Sequence, residues 1–235
     1  MKPTDNKGRA WVKGQNGFTL IELLAVISII GVIAALLIPV AGSVSRTKKI
    51  NTAQAELQLI ETSLESYKAQ HGFYPPSNAL NPLNNPLYYE LEGVTNSNGT
   101  YQTMDGNTSV AVSDYSGQFN LGGVFNVSRG TGEDGAVAHN YLPGLKNSMI
   151  GFGTNNNGIT FYYLVTSVGG PDPGYTPFLS QSLVVTHSFY NPFRYEYPGT
   201  NNPNSYDLWV VLSINNTKYL VCNWSQSFQR NTTMP

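Results

Sequence analysis

The longest apolar segment of the chain is residues 18–40, which read FTLIELLAVISIIGVIAALLIPV. The segment contains one charged residue, Glu22, and as an α-helix it would be about 34 Å long, enough for a bilayer core of roughly 30 Å. The 17 residues before it contain four Lys or Arg and one Asp, so their formal charge is +3. Because basic flanks stay on the cytoplasmic side, the sequence predicts a transmembrane helix at 18–40 with its N-terminus in the cytoplasm.

Two ordinary kinds of N-terminal segment compete for this stretch. A secretory signal peptide has an apolar region of only about 7–15 residues, followed by a small-x-small cleavage site. The apolar run here is longer, and Val40-Ala41-Gly42 is a weak candidate for such a site. A plain signal anchor gives no reason for Glu22, because an acid inside a membrane costs roughly 2.5–3.5 kcal/mol on insertion. Glu22 therefore indicates a specific function.

The junction at residues 17–24, GFTLIELL, resembles the processing site of type IV prepilins and type II secretion pseudopilins. Glycine, phenylalanine and the acid stand at fixed spacing between a basic leader and an apolar run. The resemblance implies that a prepilin peptidase cuts after Gly17 and methylates the new amine of Phe18. It also implies that Glu22 serves filament assembly. A carboxylate in the first turn suits the helix dipole, and the Phe18 amine of a neighbouring subunit would neutralise it.

Two residues of the apolar segment weaken a helix, Gly31 and Pro39. Proline inside a helix removes one hydrogen bond and clashes with the preceding turn, so a kink in a membrane helix is the simpler interpretation. The resemblance implies a segment that unwinds when the subunit leaves the bilayer for the filament. The two interpretations are compatible.

Residues 43–71 have the pattern of an amphipathic helix. Apolar residues recur at spacings of 4, 3, 4 and 3, which places them on one helical face: Ala53, Leu57, Ile60, Leu64 and Tyr67. Polar residues fill the other face: Gln54, Glu56, Gln58, Glu61, Glu65 and Lys68. Glu65 and Lys68 stand at a spacing that allows an ion pair. Gly72 then suits a helix C-cap, and Pro75-Pro76 stops the helix.

Two further stretches resemble the major pseudopilin of type II secretion. They are residues 55–75, AELQLIETSLESYKAQHGFYP, and residues 191–199, NPFRYEYPG, with YDLW following at 206–209. Between them, residues 93–180 are predicted to be an insertion relative to the compact family head. Alternating and turn-bounded residues predict strands at 110–112, 124–127, 159–167, 182–189, 193–197, 207–214 and 218–224. A short helix is predicted at 83–91, and Asn215-Asn216 is predicted to form a type I′ hairpin turn.

Composition and motifs argue against catalytic and metal chemistry. One cysteine, Cys222, and three widely separated histidines exclude an intrachain disulfide and disfavour Cys or His metal sites. A formal net charge of −1 predicts no nucleic-acid partner, and no cofactor motif is present. Glu133-Asp134 is interpreted as a solvated turn. Major pseudopilins often carry a calcium loop between their last strands, but residues 210–218, VVLSINNTK, contain no acid, so this site is not transferred.

The sequence therefore predicts a non-enzymatic α+β protein with a long N-terminal helical stem, half membrane and half amphipathic, packed on a small antiparallel sheet. The predicted segments are the leader 1–17, the membrane helix 18–40, the amphipathic stem 41–73 and the head 74–235. The expected function is a structural subunit of a periplasmic pseudopilus or pilus-like filament that supports type II secretion.

Expected partners are copies of itself, other pseudopilins, the prepilin peptidase and an inner-membrane secretion or pilus assembly platform. The expected location is the bacterial inner membrane, crossed once, with the head in the periplasm. Two alternatives stay open. One is a minor pseudopilin or type IV pilin for adhesion or DNA uptake. The other is a ligand-binding or enzymatic head on a pilin-like anchor.

Overall fold

The structure of the chain is a computed structural model that describes residues 17–129, 137–155, 157–168, 183–184 and 191–230. The chain divides into two compact units, Met1–Ser45 and Arg46–Pro235. The predicted strand at 182–189 and the Glu133-Asp134 pair lie wholly or largely outside the described residues. A helix, α1, spans Leu20–His71 and contributes residues to both units.

In the first unit, α1 presents large apolar side chains to the solvent. The exposed set includes Leu20, Ile21, Leu23, Leu24, Val26, Ile27, Ile29, Ile30, Val32 and Ile33. Leu, Ala and Ile dominate this part of the helix, and Leu and Ala are strong helix formers. Sequence therefore accounts for the helix, while its apolar surface is left without cover inside the unit.

In the second unit, α1 buries one face in the head. The five residues of the predicted stripe are all buried, and Ile50 extends the same face. The prediction of an amphipathic helix packed on the head is therefore confirmed. One residue assigned to the solvent face was placed wrongly: Glu56 is buried and accepts hydrogen bonds from the Thr166 hydroxyl and from the backbone N–H of Ser167. Spacing alone did not reveal that polar groups of the head meet this flank of the helix.

The C-terminal end of α1 is closed by glycine, as predicted. Gly72 has a φ of +82°, and its N–H donates to the carbonyl of Lys68 at 2.8 Å. A positive φ is accessible to glycine without strain, which is why it ends so many helices. The predicted Glu65–Lys68 pair is bridged by Tyr74, whose hydroxyl donates to Glu65 at 2.9 Å and accepts from the Lys68 ammonium at 3.3 Å.

The head adds two short α-helices, a 3₁₀ helix at Asn147–Met149 and three small sheets in the described residues. The helices are α2, Leu87–Glu92, and α3, Val112–Phe119. The strands are β1 Val94–Ser97, β2 Thr100–Thr103, β3 Ser109–Ala111, β4 Val127–Ser128, β5 Ile150–Asn155, β6 Thr160–Thr166, β7 Leu183–Val184, β8 Asn191–Pro192, β9 Arg194–Glu196, β10 Asp207–Ile214, β11 Thr217–Cys222 and β12 Ser225–Arg230. The sheet orders are β3-β2-β1-β4, β7-β5-β6-β8 and β12-β11-β10-β9.

This architecture confirms the predicted α+β class, in which a helix packs with antiparallel sheets. The β1–β4 pair is parallel, and the remaining strand pairs recorded in the described residues are antiparallel. The expectation of one small sheet was too simple, because the described residues form three four-stranded sheets. Two of these sheets draw strands from the stretch predicted to be an insertion.

Secondary-structure predictions succeeded where apolar β-formers run together. The prediction at 207–214 coincides with β10, and those at 159–167 and 218–224 overlap β6 and β11. Asn215 and Asn216 both have positive φ, 50° and 59°, and they join β10 to β11 as the predicted two-residue turn. The helix predicted at 83–91 begins later, at Leu87, directly after Pro86, because the residue before a proline disfavours helical geometry.

Several elements escaped prediction because their residues are polar. β1 and β2 read VTNS and TYQT, and a hairpin turn at Asn98-Gly99, where both residues have positive φ, joins them. β12 reads SQSFQR and β5 reads IGFGTN, with too few apolar residues to mark a face. Helix α3 contains a glycine and two serines, yet it buries Tyr115 and Phe119, which stand one turn apart.

An acid lies at the centre of the head core. Glu90 in α2 is fully buried, and it accepts hydrogen bonds from the Tyr67 hydroxyl at 2.9 Å and from the backbone N–H groups of Phe125 and Asn126 at 3.0 and 3.2 Å. It thereby connects α1, α2 and the segment before β4. Burial raises the pKa of Glu90 to about 7, against the opposing effect of these donors.

A further buried acid, Asp207, organises the loop before β10. Asp207 accepts from the backbone N–H groups of Asn201 at 2.6 Å and Asn202 at 3.0 Å. Gly199 approaches so closely that a Cβ there would lie 2.6 Å from Oδ1 of Asp207. The structure thus explains why the stretch NPFRYEYPG is followed by an aspartate in YDLW. Asp207 accepts hydrogen bonds from the loop backbone, and Gly199 leaves room for its carboxylate.

Candidate processing and assembly site

The start of α1 is built as a capping box. Thr19 precedes the first helical residue, and its side-chain oxygen accepts a hydrogen bond from the backbone N–H of Glu22 at 3.3 Å. In return, Oε2 of Glu22 accepts from the backbone N–H of Thr19 at 2.9 Å and from its hydroxyl at 2.7 Å. The pattern T-x-x-E therefore satisfies free N–H groups at the helix start from both sides.

The capping contacts use only one oxygen of the carboxylate. The hydrogen bonds recorded to Glu22 in the described residues all reach Oε2 and none reaches Oε1, and the residue is exposed. Phe18, four residues earlier, is 81% exposed, and Gly17 is exposed as well. The predicted cleavage bond and the acid therefore lie together at the accessible start of the helix.

The other predicted site residues lie further along α1. Gly31 is within the helix, and a Cβ built on it would meet no atom within 4 Å. Pro39 also falls inside the helical span Leu20–His71. The structure does not bring either residue together with Glu22. Their predicted role in loosening the helix does not require such a contact. The predicted leader, residues 1–16, is outside the described residues.

The described residues contain neither a membrane-crossing helix nor a metal-binding cluster. Within 17–129, 137–155, 157–168, 183–184 and 191–230, no helix has the length and apolarity that a membrane crossing requires. Over the same residues, no three His, Cys, Asp or Glu side chains cluster in a way that would hold a metal ion.

Comparison with known proteins gives matches at the N-terminal end of the chain. Residues 12–38 match the model of the prokaryotic N-terminal methylation motif. This match contains the predicted cleavage bond and Glu22. The chain carries a type IV pilin-like N-terminal segment.

Curated relatives of the chain agree with the motif. It is 38% identical over 61 residues to type II secretion system core protein G of Pseudomonas aeruginosa, covering 26% of the chain and 43% of that relative. It is 30% identical over 88 residues to the type IV major pilin protein of Neisseria gonorrhoeae, covering 36% and 41%. It is 44% identical over 61 residues to a fimbrial protein of Eikenella corrodens, covering 26% and 38%.

The matches cover 26–36% of the chain and less than half the length of these relatives. No solved structure matches the chain. The resemblance of residues 17–24 to the processing site of type IV prepilins and pseudopilins is confirmed. The roles of Gly17, Phe18, Glu22, Gly31 and Pro39 stay predictions.

Sequence reasoning missed the capping box, although its signal was present. A threonine three residues before a glutamate, directly ahead of an apolar run, is the sequence signature of a helix N-terminus. The sequence interpretation gave Glu22 a role in assembly only, whereas the structure also gives it a capping contact with Thr19. Glu22 is therefore a candidate for two functions, one within the subunit and one between subunits.

Proposed function

We propose that the chain is a structural subunit of a periplasmic pseudopilus or pilus-like filament, and that this filament supports type II protein secretion. The observation that carries the proposal is the methylation motif at residues 12–38, together with an apolar helix surface that the first unit leaves exposed. A filament core is a non-aqueous environment that can cover such a surface.

Processing prepares this helix for assembly. A prepilin peptidase cuts between Gly17 and Phe18 and methylates the new amine of Phe18, which stays positively charged as a secondary amine. The exposed position of Gly17 and Phe18 supports access of a peptidase to the bond. Cleavage also removes the basic leader, so the helix starts with one cation at Phe18 and one anion at Glu22.

Assembly then pairs charges between subunits. The Phe18 amine of one subunit meets Glu22 of the next, and Oε1 of that carboxylate is the oxygen that the capping box leaves available. Breaking a buried ion pair by removing one partner typically costs about 3–5 kcal/mol. The pair therefore sets the axial register, while the packing of the exposed Leu and Ile side chains contributes about 1.5–3 kcal/mol for each one buried.

The setting follows from the same chemistry. Before assembly, residues 18–40 hold the subunit in the inner membrane, with the N-terminus in the cytoplasm and the head in the periplasm. An inner-membrane assembly platform transfers the subunit into a filament of its own copies and other pseudopilins. Gly31 and Pro39 weaken the helix for that transfer. The role is structural and not catalytic.

A pilus subunit is the second candidate, and a specific observation favours it. The relatives include fimbrial and type IV pilin proteins at similar identity to the secretion protein. The described part of the predicted insertion also forms a large share of the head, including β1 to β6 and α3. A distinct head of this kind suits adhesion or DNA uptake as well as secretion.

Mass spectrometry of the native N-terminus tests the processing step. We expect a mature chain that begins at N-methylated Phe18. A chain that begins near Ser43, or one that retains Met1, would contradict the proposal.

Substitution of Glu22 separates its two roles. Glu22→Gln keeps a side chain that can close the capping box but removes the charge, whereas Glu22→Ala removes both. We expect both variants to insert in membranes and to lose most filament assembly, measured by electron microscopy and by sedimentation of sheared filaments. Wild-type filament yield from Glu22→Gln would show that the carboxylate acts only as a cap.

A further inference from the structure

A short basic segment of α1 has no acid to pair with. Residues 41–55 contain three basic residues, Arg46, Lys48 and Lys49, and no Asp or Glu. Lys48 is exposed, and the other two are half-buried. Among the described residues, none of the three has a recorded ion pair or hydrogen bond. The next acid along the chain, Glu56, is buried and already accepts hydrogen bonds from the head.

This charge stands on the side of the membrane where it is least expected. In the proposed function, the chain after residue 40 lies outside the cytoplasm, whereas basic flanks of a membrane helix favour the cytoplasmic side. The leader has a formal charge of +3, and residues 41–55 have the same charge of +3. The two flanks therefore oppose each other in orienting the helix, so the basic segment requires a role of its own.

Arg46 marks the point where the buried face of α1 stops being apolar. It stands one turn before Ile50, on the same face of the helix, and Ile50 is 1% exposed. Where an apolar residue would continue the stripe, the helix carries a guanidinium, with Lys49 next to it at i+3. Such a change suits a helix that passes from an apolar core into a layer of anionic groups.

The spacing from the apolar run places these cations at the level of lipid headgroups. Arg46 stands six residues after residue 40, which is about 9 Å for helical residues. The headgroup layer on each side of a bilayer is roughly 5–7 Å thick. Side chains of a helix tilt toward its N-terminus, and long basic side chains extend to keep their charge at the interface. The charges of the segment can therefore reach lipid phosphates.

We propose that Arg46, Lys48 and Lys49 bind the headgroups of anionic phospholipids at the periplasmic surface of the inner membrane, and hold the stem there before assembly. This inference rests on the proposed function, because it requires residues 18–40 to span the bilayer. Basic residues beside a membrane helix are attracted to anionic lipids. Arg46 and Lys48 stand about 200° apart around α1, so one neighbouring subunit would not contact both, whereas a headgroup layer surrounds the helix.

Amine labelling in vesicles tests the proposal. The full chain is reconstituted in phosphatidylcholine alone, or with about 30% phosphatidylglycerol as the anionic lipid. It is then treated with an uncharged, membrane-impermeant polyethylene glycol succinimidyl ester. Peptide mass spectrometry gives the labelling of Lys48 and Lys49 relative to Lys146, an exposed residue of the head, which corrects for orientation and yield. We expect phosphatidylglycerol to lower this ratio at least about threefold, and about 1 M salt, where the Debye length is about 3 Å, to restore it.

Two single substitutions separate a specific contact from the general effect of a charged surface. Arg46→Gln removes one cation of the segment, so the protection of Lys48 and Lys49 by phosphatidylglycerol should fall at least about twofold. Arg129→Gln is the matched control, because it removes the same charge from an exposed position of the head, and it should keep wild-type protection. Free glycerol phosphate, added to phosphatidylcholine vesicles, should give no protection.

An alkaline carbonate wash distinguishes the possible failures. If the wash removes the chain from the vesicles, the proposed membrane residence is wrong, and this inference falls with it. If the chain is retained but Lys48 and Lys49 label equally in both lipids, or if Arg46→Gln and Arg129→Gln are protected equally, this inference alone is overturned. Protection by free glycerol phosphate, or protection in phosphatidylcholine that grows with the density of the chain, would overturn it in favour of a soluble phosphate or a neighbouring subunit.

Discussion

The two compact units use α1 in opposite ways. In the first unit, apolar side chains such as Leu20 and Val32 point to solvent, whereas in the second the stripe from Ala53 to Tyr67 is buried in the head. Both stretches are helical in one element, Leu20–His71. The secondary structure is the same, but only the second stretch receives its stabilising partners from its own unit.

This difference separates folding from assembly. A helix stripe that is buried within its own unit contributes to the free energy of unfolding of the head, so its mutation should unfold the head. An apolar surface left exposed contributes nothing there, and in the proposed filament it would be covered by a bilayer or by neighbouring subunits. The thermal melt of the head, followed by the fluorescence of Trp209 and Trp224, reports on the buried stripe, and filament yield reports on the exposed apolar surface.

The largest effect is expected at Leu57, which is 4% exposed on the buried face of α1. Leu57→Asp removes a packed side chain and buries an unpaired charge, which together cost more than about 4 kcal/mol. A domain is typically stable by only about 5–15 kcal/mol, so the melt should be lost or shifted far down. Leu59→Asp is the matched control two residues away. Leu59 is 45% exposed, and its variant should change stability by less than about 0.5 kcal/mol; similar losses in both variants would contradict the packing.

The next effect concerns Glu90 and pH. Its pKa rises from an ordinary value of about 4.3 to about 7 in the folded head. The folded state therefore binds the proton more tightly than the unfolded state, so its stability contribution is complete below pH 4 and is lost as pH rises toward 7. We expect Glu90→Gln to flatten the pH dependence of the melt between pH 4.5 and 7. The total change should be of the order of a few kcal/mol.

Glu196→Gln, at a partly exposed position in β9, serves as control and should keep the wild-type slope. Burial also raises the pKa of Glu92 to about 7, so Glu92 titrates in the same window, and the difference between Glu90→Gln and wild type isolates Glu90 from it. A Glu90→Gln variant whose melt keeps the full wild-type slope would show that the core acid is ionised throughout this range.

Sequence predicted the elements whose residues repeat with a period and left out those whose partners are distant. The stripe of α1 and the apolar strand β10 are periodic, so their burial followed directly. Glu56 and Glu90 are buried because of Ser167, Phe125 and Asn126, which lie far away in the chain. No local pattern encodes such pairs, and Glu56 was accordingly assigned to the solvent face of the helix.

The candidate sites show the same limit. The cleavage motif and Glu22 were readable because their chemistry depends on spacing within six residues. Glu92, at the end of α2, and Asp105, in the β2–β3 turn, line one cavity only because of the fold, and local spacing does not reveal that. The stretch predicted to be an insertion also supplies buried residues such as Phe119 and Phe161 to the main core, which composition alone did not indicate.

A smaller effect is expected at the β10–β11 turn. Asn216 has a φ of 59°, which asparagine tolerates and alanine adopts at a cost of about 1 kcal/mol. Asn216→Ala should therefore lower the melting midpoint by about 2–4 °C. Asn216→Gly should keep or raise the midpoint, because asparagine-glycine is a favoured pair in type I′ turns. Equal midpoints for the alanine and glycine variants would contradict the positive φ.

The smallest effect on the head is expected at Gly31, which belongs to the first unit. A Cβ there meets no atom within 4 Å, so Gly31→Ala should raise the helix propensity of this stretch by about 1 kcal/mol without strain. Because this stretch receives no partners from the head, the head melt should not move. Filament yield should fall if Gly31 serves by weakening the helix during transfer from the bilayer.

Ala34→Gly is the inverse control, since it lowers the helix propensity one turn away and should leave both the melt and the yield near wild type. If Gly31→Ala shifts the head melt, the two stretches of α1 share their stability, and the separation of folding from assembly is wrong. If the melt and the filament yield both stay at wild-type values, the separation holds, but Gly31 has no helix-weakening role in assembly.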